Sequence, residues 1–378
     1  MRPSALLVPA CGAVASCSSS SSDRHGAVNA GGPKMIIEND WNAGAAPQFL
    51  MALDYGWDIL GLIGDTSNSW ALQCSLHALA LLEIGNLSSC IPVHKGADYP
   101  LLMTPKLMQT WERIMGPLPW EGVFRPQNDT AEALGSDPTD GDPARIVKAA
   151  FTEGYPNTTL AGYHAAAWMI EQVHKYPGEV VIYSGGALTN IALAIRMDSD
   201  FASLTKGLWI MGGFVDTNGL MISGDTMQAD INTDFNFKAD PEATKIALSA
   251  DFPNITLVSN AANAPELFPT DALLAEVAEV RNPYTILQQK VTQTNLPFWD
   301  EATMLSLVDP STIMNQTSFY VNVDTSFYSP TYGNIWAYQE ALAPSRQTLR
   351  EVNFVWQING TAFQTALKRA LQSPKTCP

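Results

Sequence analysis

KMIIENDWNAGAAPQFLMAL, residues 34–53, places a strand pattern, an acidic break and a helix pattern next to one another. The apolar run that ends at Ile37 is typical of a strand buried on both faces. Residues 38–42 end that run, and Pro47 then begins an apolar segment, as proline often does in a first helical turn. A strand that ends in carboxylates and leads into a helix predicts acidic oxygens at the carboxyl end of a sheet. Open α/β folds bind their ligands at that edge.

Short apolar runs alternate with helical patterns along the rest of the chain. We predict strands at 57–64, 91–94, 179–183, 208–211, 255–258 and 320–323, helices at 70–84, 163–175, 191–196 and 243–249, and a tail hairpin around 352–360. Residues 95–145 are irregular and rich in proline, glycine and tryptophan, which is typical of a lid or a glycan-bearing surface segment. The alternation predicts an α/β fold, a mostly parallel central sheet with helices on both faces. Residues 31–378 are expected to form a single domain.

Composition limits the classes of partner. The 378 residues are 46% hydrophobic and 15% charged, which suits a large globular core. A formal net charge of −16 argues against nucleic acid and anionic membranes as partners. No apolar run reaches the roughly 18 residues that a membrane span needs.

The first 30 residues predict export. Arg2 precedes an apolar segment from Ala5 to Ala15 that ends in small residues, as in a signal peptide. Residues 16–22 are almost all serine and are expected to form a disordered linker. Asn-x-Ser/Thr sequons occur at Asn86, Asn128, Asn157, Asn254, Asn315 and Asn359. So many sequons favour a secreted, N-glycosylated protein.

Three cysteines remain after the predicted leader: Cys74, Cys90 and Cys377. We expect one disulfide and one free thiol, with Cys74–Cys90 as the favoured pair. No cysteine or histidine cluster has zinc spacing.

Polar side chains follow several predicted strands, in loops that emerge at one edge of a parallel sheet and can converge there. They are Glu38, Asp40, Asp65, Asn68, Gly185, Gly186, Asp230, Asn232, Asp234, Asn236 and Asp300. A set made only of hard oxygen ligands suits Ca²⁺ better than a transition metal. Such an ion lowers the pKa of a bound water, whose proton a neighbouring carboxylate can take. Two of these residues also have a purely structural interpretation: Asp300 could be a helix N-cap, and Asp65 could be part of a turn.

These motifs, in this order, resemble the inosine–uridine preferring nucleoside hydrolases over about residues 33–310. The opening stretch is similar to the family's strand followed by Asp-x-Asp-Pro-Gly-x-Asp-Asp. Residues 184–192, SGGALTNIA, resemble its Gly-Gly-Leu-Thr-Asn turn. Residues 234–236 with 240–243, DFN and DPEA, are similar to its Glu-Phe-Asn and Asp-Pro-Glu-Ala.

The resemblance implies Ca²⁺-dependent hydrolysis of the N-glycosidic bond of a small-molecule ribonucleoside. It implies that Asp40 is the general base and a metal ligand. The other metal ligands would be Asp300 and the carbonyl of Gly185 or its neighbour Ser184. Asn68, Asp234 and Asn236 would contact the ribose. The number of subunits is left open, a homo-oligomer being one outcome.

The sequence departs from the family motif in its acidic pair. Gly44 and Ala45 stand where the family has Asp-Asp, which supplies a metal ligand and a ribose contact. Asp65 is our candidate replacement as metal ligand, and Glu38 is a second. Trp299 stands where some members have a proton-donating histidine, and it can stack on the base instead.

Two further interpretations follow from these departures. One is a secreted protein that binds nucleosides or ribosyl groups without catalysis. The other, more remote, is a metal-free glycosidase built on the carboxylates of Glu38 and Asp300.

Three aromatic residues of the 95–145 segment could cover the base or fill the core: Trp111, Trp120 and Phe124. We expect His77, His164 and His174 to be core or surface residues.

Overall fold

The computed structural model describes residues 31–162, 164–215, 234–259 and 265–377. One nine-stranded sheet crosses this part of the chain, in the order β3-β2-β1-β4-β5-β6-β9-β7-β8. Its strands are β1 Lys34–Asn39, β2 Asp58–Gly64, β3 Val93–Lys95, β4 Val180–Ser184, β5 Gly207–Met211, β6 Ile255–Val258, β7 Ile313–Val323, β8 Ile335–Tyr338 and β9 Arg350–Ile358. Neighbouring strands from β3 to β9 are parallel, and β7 runs antiparallel to both β8 and β9. The predicted mostly parallel sheet is therefore confirmed.

Helices cover both faces of the sheet. They are α1 Ala46–Asp54, α2 Ala71–Ile84, α3 Pro105–Met115, α4 Asp129–Ala133, α5 Ala165–Lys175, α6 Thr189–Met197, α7 Phe201–Leu204, α8 Phe235–Ala239, α9 Pro241–Leu248, α10 Asp271–Val277, α11 Pro283–Val291, α12 Trp299–Val308 and α13 Gly360–Gln372. In β1, Met35 and Ile37 join the core that contains α1, α2 and α12, whereas Ile36 joins the core that contains α5 and α6. Because side chains alternate between faces along a strand, the unbroken apolar run fills both cores.

The strand order changes direction between β1 and β4. From β1 the chain goes outward through β2 and β3, and it then returns to add β4, β5 and β6 on the other side. The loops that follow β1 and β4 therefore lead in opposite directions, and they leave a crevice at the carboxyl ends of these two strands. That crevice lies beside Glu38, Asn39 and the Ser184–Gly186 turn.

Two predicted segments differ in the structure. The expected tail hairpin is wrong, because β9 lies between β6 and β7 and the chain then continues into α13. The Asn359 side chain begins that helix by accepting a hydrogen bond from the Ala362 amide at 3.0 Å. The 95–145 segment is more regular than predicted, since it contains α3 and α4. Across the described residues, no helix has the length and apolarity to cross a bilayer.

The predicted Cys74–Cys90 disulfide is also wrong. Cys90 is bonded to Cys377, with 6.0 Å between their Cα atoms, and Cys74 is a buried free thiol. Cys74 lies on α2 in the core, whereas Cys90 follows that helix and meets the C-terminal segment. Spacing along the sequence could not indicate a contact across 287 residues.

Candidate active site

A cavity of about 650 Å³ lies at the carboxyl ends of β1 and β4. Its lining includes most of the residues predicted from the sequence: Asp40, Asn68, Gly185, Asp234, Asn236, Trp299 and Asp300. They come from well-separated parts of the chain and meet because their loops leave the same edge of the sheet. Asp230 and Asn232 lie outside the described residues.

Asp40 is the acidic residue that β1 delivers to this cavity. Its side chain is nearly buried, and the turn after it is fixed by Trp41, whose indole nitrogen donates to the Ile63 carbonyl at 2.6 Å. Burial raises the pKa of Asp40 to about 8, although hydrogen bonds from Ser67 and Asn68 lower it. An acid whose pKa is raised by burial at the edge of a cavity is a candidate for proton transfer with a ligand bound there.

Glu38 and Asp65 lie beneath the cavity and do not line it. Both are completely buried, and Glu38 Oε1 accepts a hydrogen bond from Asn190 at 2.7 Å. Burial raises the pKa of Asp65, and the nearby carboxylates of Asp40 and Glu38 raise it further. The position of Glu38 disfavours a glycosidase built on Glu38 and Asp300, because Glu38 cannot reach a sugar in the cavity. Asp65 lies close enough to Asp40 for the charges of the two carboxylates to interact.

The Gly185–Gly186 turn allows the backbone to approach these acids closely. A Cβ atom on Gly185 would lie 2.1 Å from Asn39 Oδ1, and one on Gly186 would lie 2.2 Å from Asp65 Oδ2. Any side chain at either position would therefore displace a buried polar group. The two glycines therefore allow close packing at the sheet edge.

Asp234 and Asn236 form the opposite wall at the start of α8. Asp234 Oδ1 accepts from the Asn236 backbone amide at 2.9 Å and so caps the helix. The Asn236 side chain donates to the carbonyls of Gly185 and Met211, both at 3.1 Å. The Gly185 carbonyl, an expected metal ligand, thus already accepts one hydrogen bond and has one lone pair left.

Aromatic side chains border the open part of the cavity. Trp299 is half-buried, and Trp120 is 37% exposed and donates its indole hydrogen to Asn68 Oδ1 at 2.7 Å. Trp111 and Phe124 are buried in a core cluster instead. Of the three aromatic candidates in the 95–145 segment, only Trp120 is placed to cover a ligand.

Asp300 lies in the first turn of α12 and does not cap it, since Phe298 is the N-cap residue. Burial and the nearby Asp40 carboxylate raise the pKa of Asp300. Its Oδ2 accepts a hydrogen bond from Gln48 Nε2 at 3.0 Å. Gln48 also lines the cavity and was missed by the sequence reasoning. Its signal was a lone polar side chain in the otherwise apolar first turns of α1.

A buried ion cluster supports the wall formed by residues 136–152. His77 Nε2 lies 2.8 Å from Asp137 Oδ1, and His77 Nδ1 lies 2.5 Å from Glu153 Oε1. Burial lowers the pKa of His77, but the two carboxylates outweigh that effect and raise it to about 9. His77 is therefore a buried structural cation. His174 pairs with Asp198 at the surface, and His164 caps α5, so none of the three lines the cavity.

The carboxylates alone do not form a metal cage. Within the described ranges, no group of three or more His, Cys, Asp and Glu side chains is arranged to hold a metal ion. Gly44 and Ala45 also line the cavity and contribute no carboxylate. An ion at this site would depend on amide and carbonyl oxygens in addition to Asp40 and Asp300.

Comparison with known proteins agrees with this architecture. Solved structures with the same fold include a plant nucleoside hydrolase and a purine-preferring ribonucleoside hydrolase from Gardnerella vaginalis. The first has a TM-score of 0.68 and 20% identity over 90% of this chain and 99% of that chain. The second has a TM-score of 0.64 and 16% identity over 90% of this chain and 98% of that chain.

Curated relatives extend the similarity to the sequence. An uncharacterized Schizosaccharomyces pombe protein is 30% identical over 328 residues, which cover 83% of this chain and 78% of that protein. Uridine nucleosidase 1 of Arabidopsis thaliana is 28% identical over 226 residues, 60% of this chain and 55% of that protein. The family model of the inosine-uridine preferring nucleoside hydrolases matches residues 35–365. Since that match spans most of the chain and includes every residue of the cavity wall named above, the protein belongs to the inosine-uridine preferring nucleoside hydrolase family.

Proposed function

We propose that this protein hydrolyses the N-glycosidic bond of ribonucleosides to free base and ribose, with Asp40 as general base and Ca²⁺ as cofactor. The observation that carries the proposal is the convergence of Asp40, Asp300, Asn68 and Asn236 on one cavity at the strand-order switch. Carboxylates that face a sugar-sized space with hydrogen-bonding amides are the groups this reaction requires.

Asp40 accepts a proton from water as the water oxygen bonds to C1′ of the ribose and the bond from C1′ to the base breaks. Its burial favours this step, because a poorly solvated carboxylate binds a proton readily. The negative charge of Asp300 stabilises the positive charge that develops on the ribosyl group. Asn68, Asp234 and Asn236 are placed to bind the sugar hydroxyls.

Trp299 and Trp120 hold the base in this mechanism. Both rings border the cavity, so a planar base can stack against them. Trp299 has no acidic proton to donate at neutral pH. The departing base therefore takes its proton from solvent at the open side of the cavity.

The chemistry of the site fits a hard divalent cation. Asp40 and Asp65 are buried acids close to Asp300. No described side chain donates to either oxygen of Asp65, and Asn39 Oδ1 is buried without a donor. Buried carboxylates in this number require a cation or protons to offset their charge. Asp40, Asp300 and the Gly185 carbonyl would hold the ion, with Asp65 beneath them. When bound, Ca²⁺ supplies the positive charge that makes a neighbouring water more acidic.

Ribose release from a nucleoside panel that includes uridine and inosine, measured with calcium present, tests the function. Asp40→Asn is expected to lower the rate by about 10²–10⁴-fold, as loss of a general base does. Asp271→Asn is the matched control, because Asp271 is exposed in the first turn of α10. A purified protein that leaves the whole panel intact would overturn the proposal.

A non-catalytic nucleoside- or ribosyl-binding protein is the second candidate. Gly44 and Ala45 favour it, since they stand in the cavity wall where the family motif has two carboxylates. Calorimetry that shows nucleoside binding without ribose release would select this function. Any release that depends on Asp40 would remove it.

We also propose that the protein is exported and glycosylated. The Cys90–Cys377 disulfide supports an oxidising compartment. The sequon asparagines are exposed at positions 86, 128, 157, 315 and 359, as a glycosylated asparagine must be. Reducing and non-reducing peptide maps of the secreted protein test both points, and a reduced, unglycosylated product would contradict them.

A further inference from the structure

Gln48 is a buried side chain with one unused polar atom. It is 1% exposed, on the first turns of α1, among the apolar side chains of Pro47, Phe49 and Leu50. Its Nε2 donates to Asp300 Oδ2 at 3.0 Å, but its Oε1 has no hydrogen-bond donor among the described residues. The side chain lines the cavity beside Asp300.

The orientation of the Gln48 amide is set by Asp300. When Asp300 is ionised, as a metal ligand must be, a reversed amide would place Oε1 against Asp300 Oδ2, and two acceptors would meet without a proton between them. Nε2 therefore points to Asp300, and Oε1 is left for another partner. A buried carbonyl oxygen without a partner costs about 1–3 kcal/mol. An apolar side chain of similar size would avoid that cost, so the amide indicates a ligand.

The position of Gln48 relative to the altered motif identifies the kind of ligand. Ala45, the N-cap of α1, offers no side-chain oxygen, and the Gly44 carbonyl already accepts a hydrogen bond from Gln288. Gln48 follows Ala45 by three residues, and residues at this spacing lie on the same side of a helix. Gln48 thus lines the cavity on the side where the two carboxylates are absent, and its Oε1 is a buried oxygen without a donor there.

We propose that Gln48 Oε1 is a ligand of the divalent cation and replaces an oxygen of the missing Asp-Asp pair. This inference rests on the cation of the proposed function and adds a residue to it. The amide oxygen is neutral, so the site carries less negative charge than one with that pair. Because ligand charge sets calcium affinity, we expect a Kd on the order of 10⁻⁴–10⁻³ M, the range of extracellular calcium modules.

Calorimetric titration of the full-length protein with CaCl₂ tests the role of Gln48 without any substrate. Gln48→Met keeps the side-chain length but removes the oxygen, and it is expected to raise the Kd by about tenfold. Gln48→Glu adds a charged oxygen and is expected to lower the Kd by about tenfold. Without calcium, Gln48→Glu should have a lower Tm than wild type, because two carboxylates then meet at Asp300.

The opposite signs of the two variants separate a ligand from a residue that only positions Asp300. Both variants lose the Nε2 hydrogen bond to Asp300, so a positioning role predicts weaker calcium binding in both. Gln172→Met is the matched control, since Gln172 is buried on α5 at the other face of the sheet and does not line the cavity. Its Kd for calcium should equal that of wild type.

Three results would overturn the inference: an unchanged Kd in Gln48→Met, weaker binding in Gln48→Glu, or no calcium binding by wild type up to about 10 mM, well above the expected range. The last result combined with Asp40-dependent ribose release would leave nucleoside hydrolysis standing, but it would remove Ca²⁺ as the cofactor together with Gln48 as its ligand. If the calcium Kd rises from Gln48→Glu to wild type to Gln48→Met but no ribose is released, Gln48 stays as a ligand and the hydrolytic function is removed.

Discussion

Replacing His77 by glutamine removes the cation from the buried cluster beside the cavity. The imidazole lies between Asp137 and Glu153, at 2.8 and 2.5 Å, and it stacks on Phe151 with 4.1 Å between ring centroids. Glutamine can still donate one hydrogen bond but carries no charge. The buried Glu153 carboxylate then loses its counter-charge, which is among the costlier changes in a protein interior.

The size of the effect follows from the pKa of His77. The ordinary pKa of histidine is 6.5, and the two carboxylates, working against burial, raise it to about 9 in the folded protein. A difference of roughly 2.5 units at 1.36 kcal/mol each corresponds to about 3 kcal/mol. Between these two values the folded state keeps a proton that the unfolded state releases. The stabilisation is therefore complete below pH 6.5 and is lost as the pH rises through about 9.

Urea unfolding at pH 6, 7.5 and 9.5 measures this contribution. Between pH 6 and pH 9.5, the free energy of unfolding of wild type should fall by about 3 kcal/mol more than that of His77→Gln. The double variant His77→Gln/Glu153→Gln should be more stable than His77→Gln alone, because no buried charge is left without a partner. Parallel pH profiles for wild type and His77→Gln would refute the assignment of His77 as a buried cation.

Three other predictions concern the disulfide, the glycine turn and the sequons. Cys377→Ser should lower the free energy of unfolding by about 2–5 kcal/mol, and equal stability in wild type with and without reductant would contradict this. Gly186→Ala, whose Cβ would lie 2.2 Å from Asp65 Oδ2, should cost about 1–3 kcal/mol or more, whereas Gly162→Ala, with nothing within 4 Å, should be nearly neutral in the same unfolding assay. Peptide mapping should find no glycan on Asn254, because it is half-buried whereas the other five sequon asparagines are exposed, and occupancy there would show that reasoning to be wrong.

Much of the site was predictable because strand ends are local features of a sequence. The apolar run before Glu38 predicted β1, and the acids that follow it had to emerge at the carboxyl edge of a parallel sheet. The same reasoning applies to Asn68 after β2 and Gly185 after β4. Hydrophobic periodicity and turn residues depend on nearby positions, so a single sequence contains them in full.

Tertiary packing decided how deeply each acid is buried and which residues from distant segments make contact. Glu38 and Asp40 are two residues apart, yet one lies beneath the cavity and the other lines it. Cys90 bonds to Cys377, and Gln48 meets Asp300, through contacts between segments far apart in the chain.

The amino-acid sequence by itself determined the alternation of strands and helices and the acidic edge of the sheet, because both follow from short-range patterns of apolar and polar side chains. The tertiary structure alone decided which acids face the cavity, which cysteines pair, and that the side-chain amide of Gln48 meets Asp300. Those outcomes depend on how helices α1 and α12 pack against the sheet, and no local pattern records that packing.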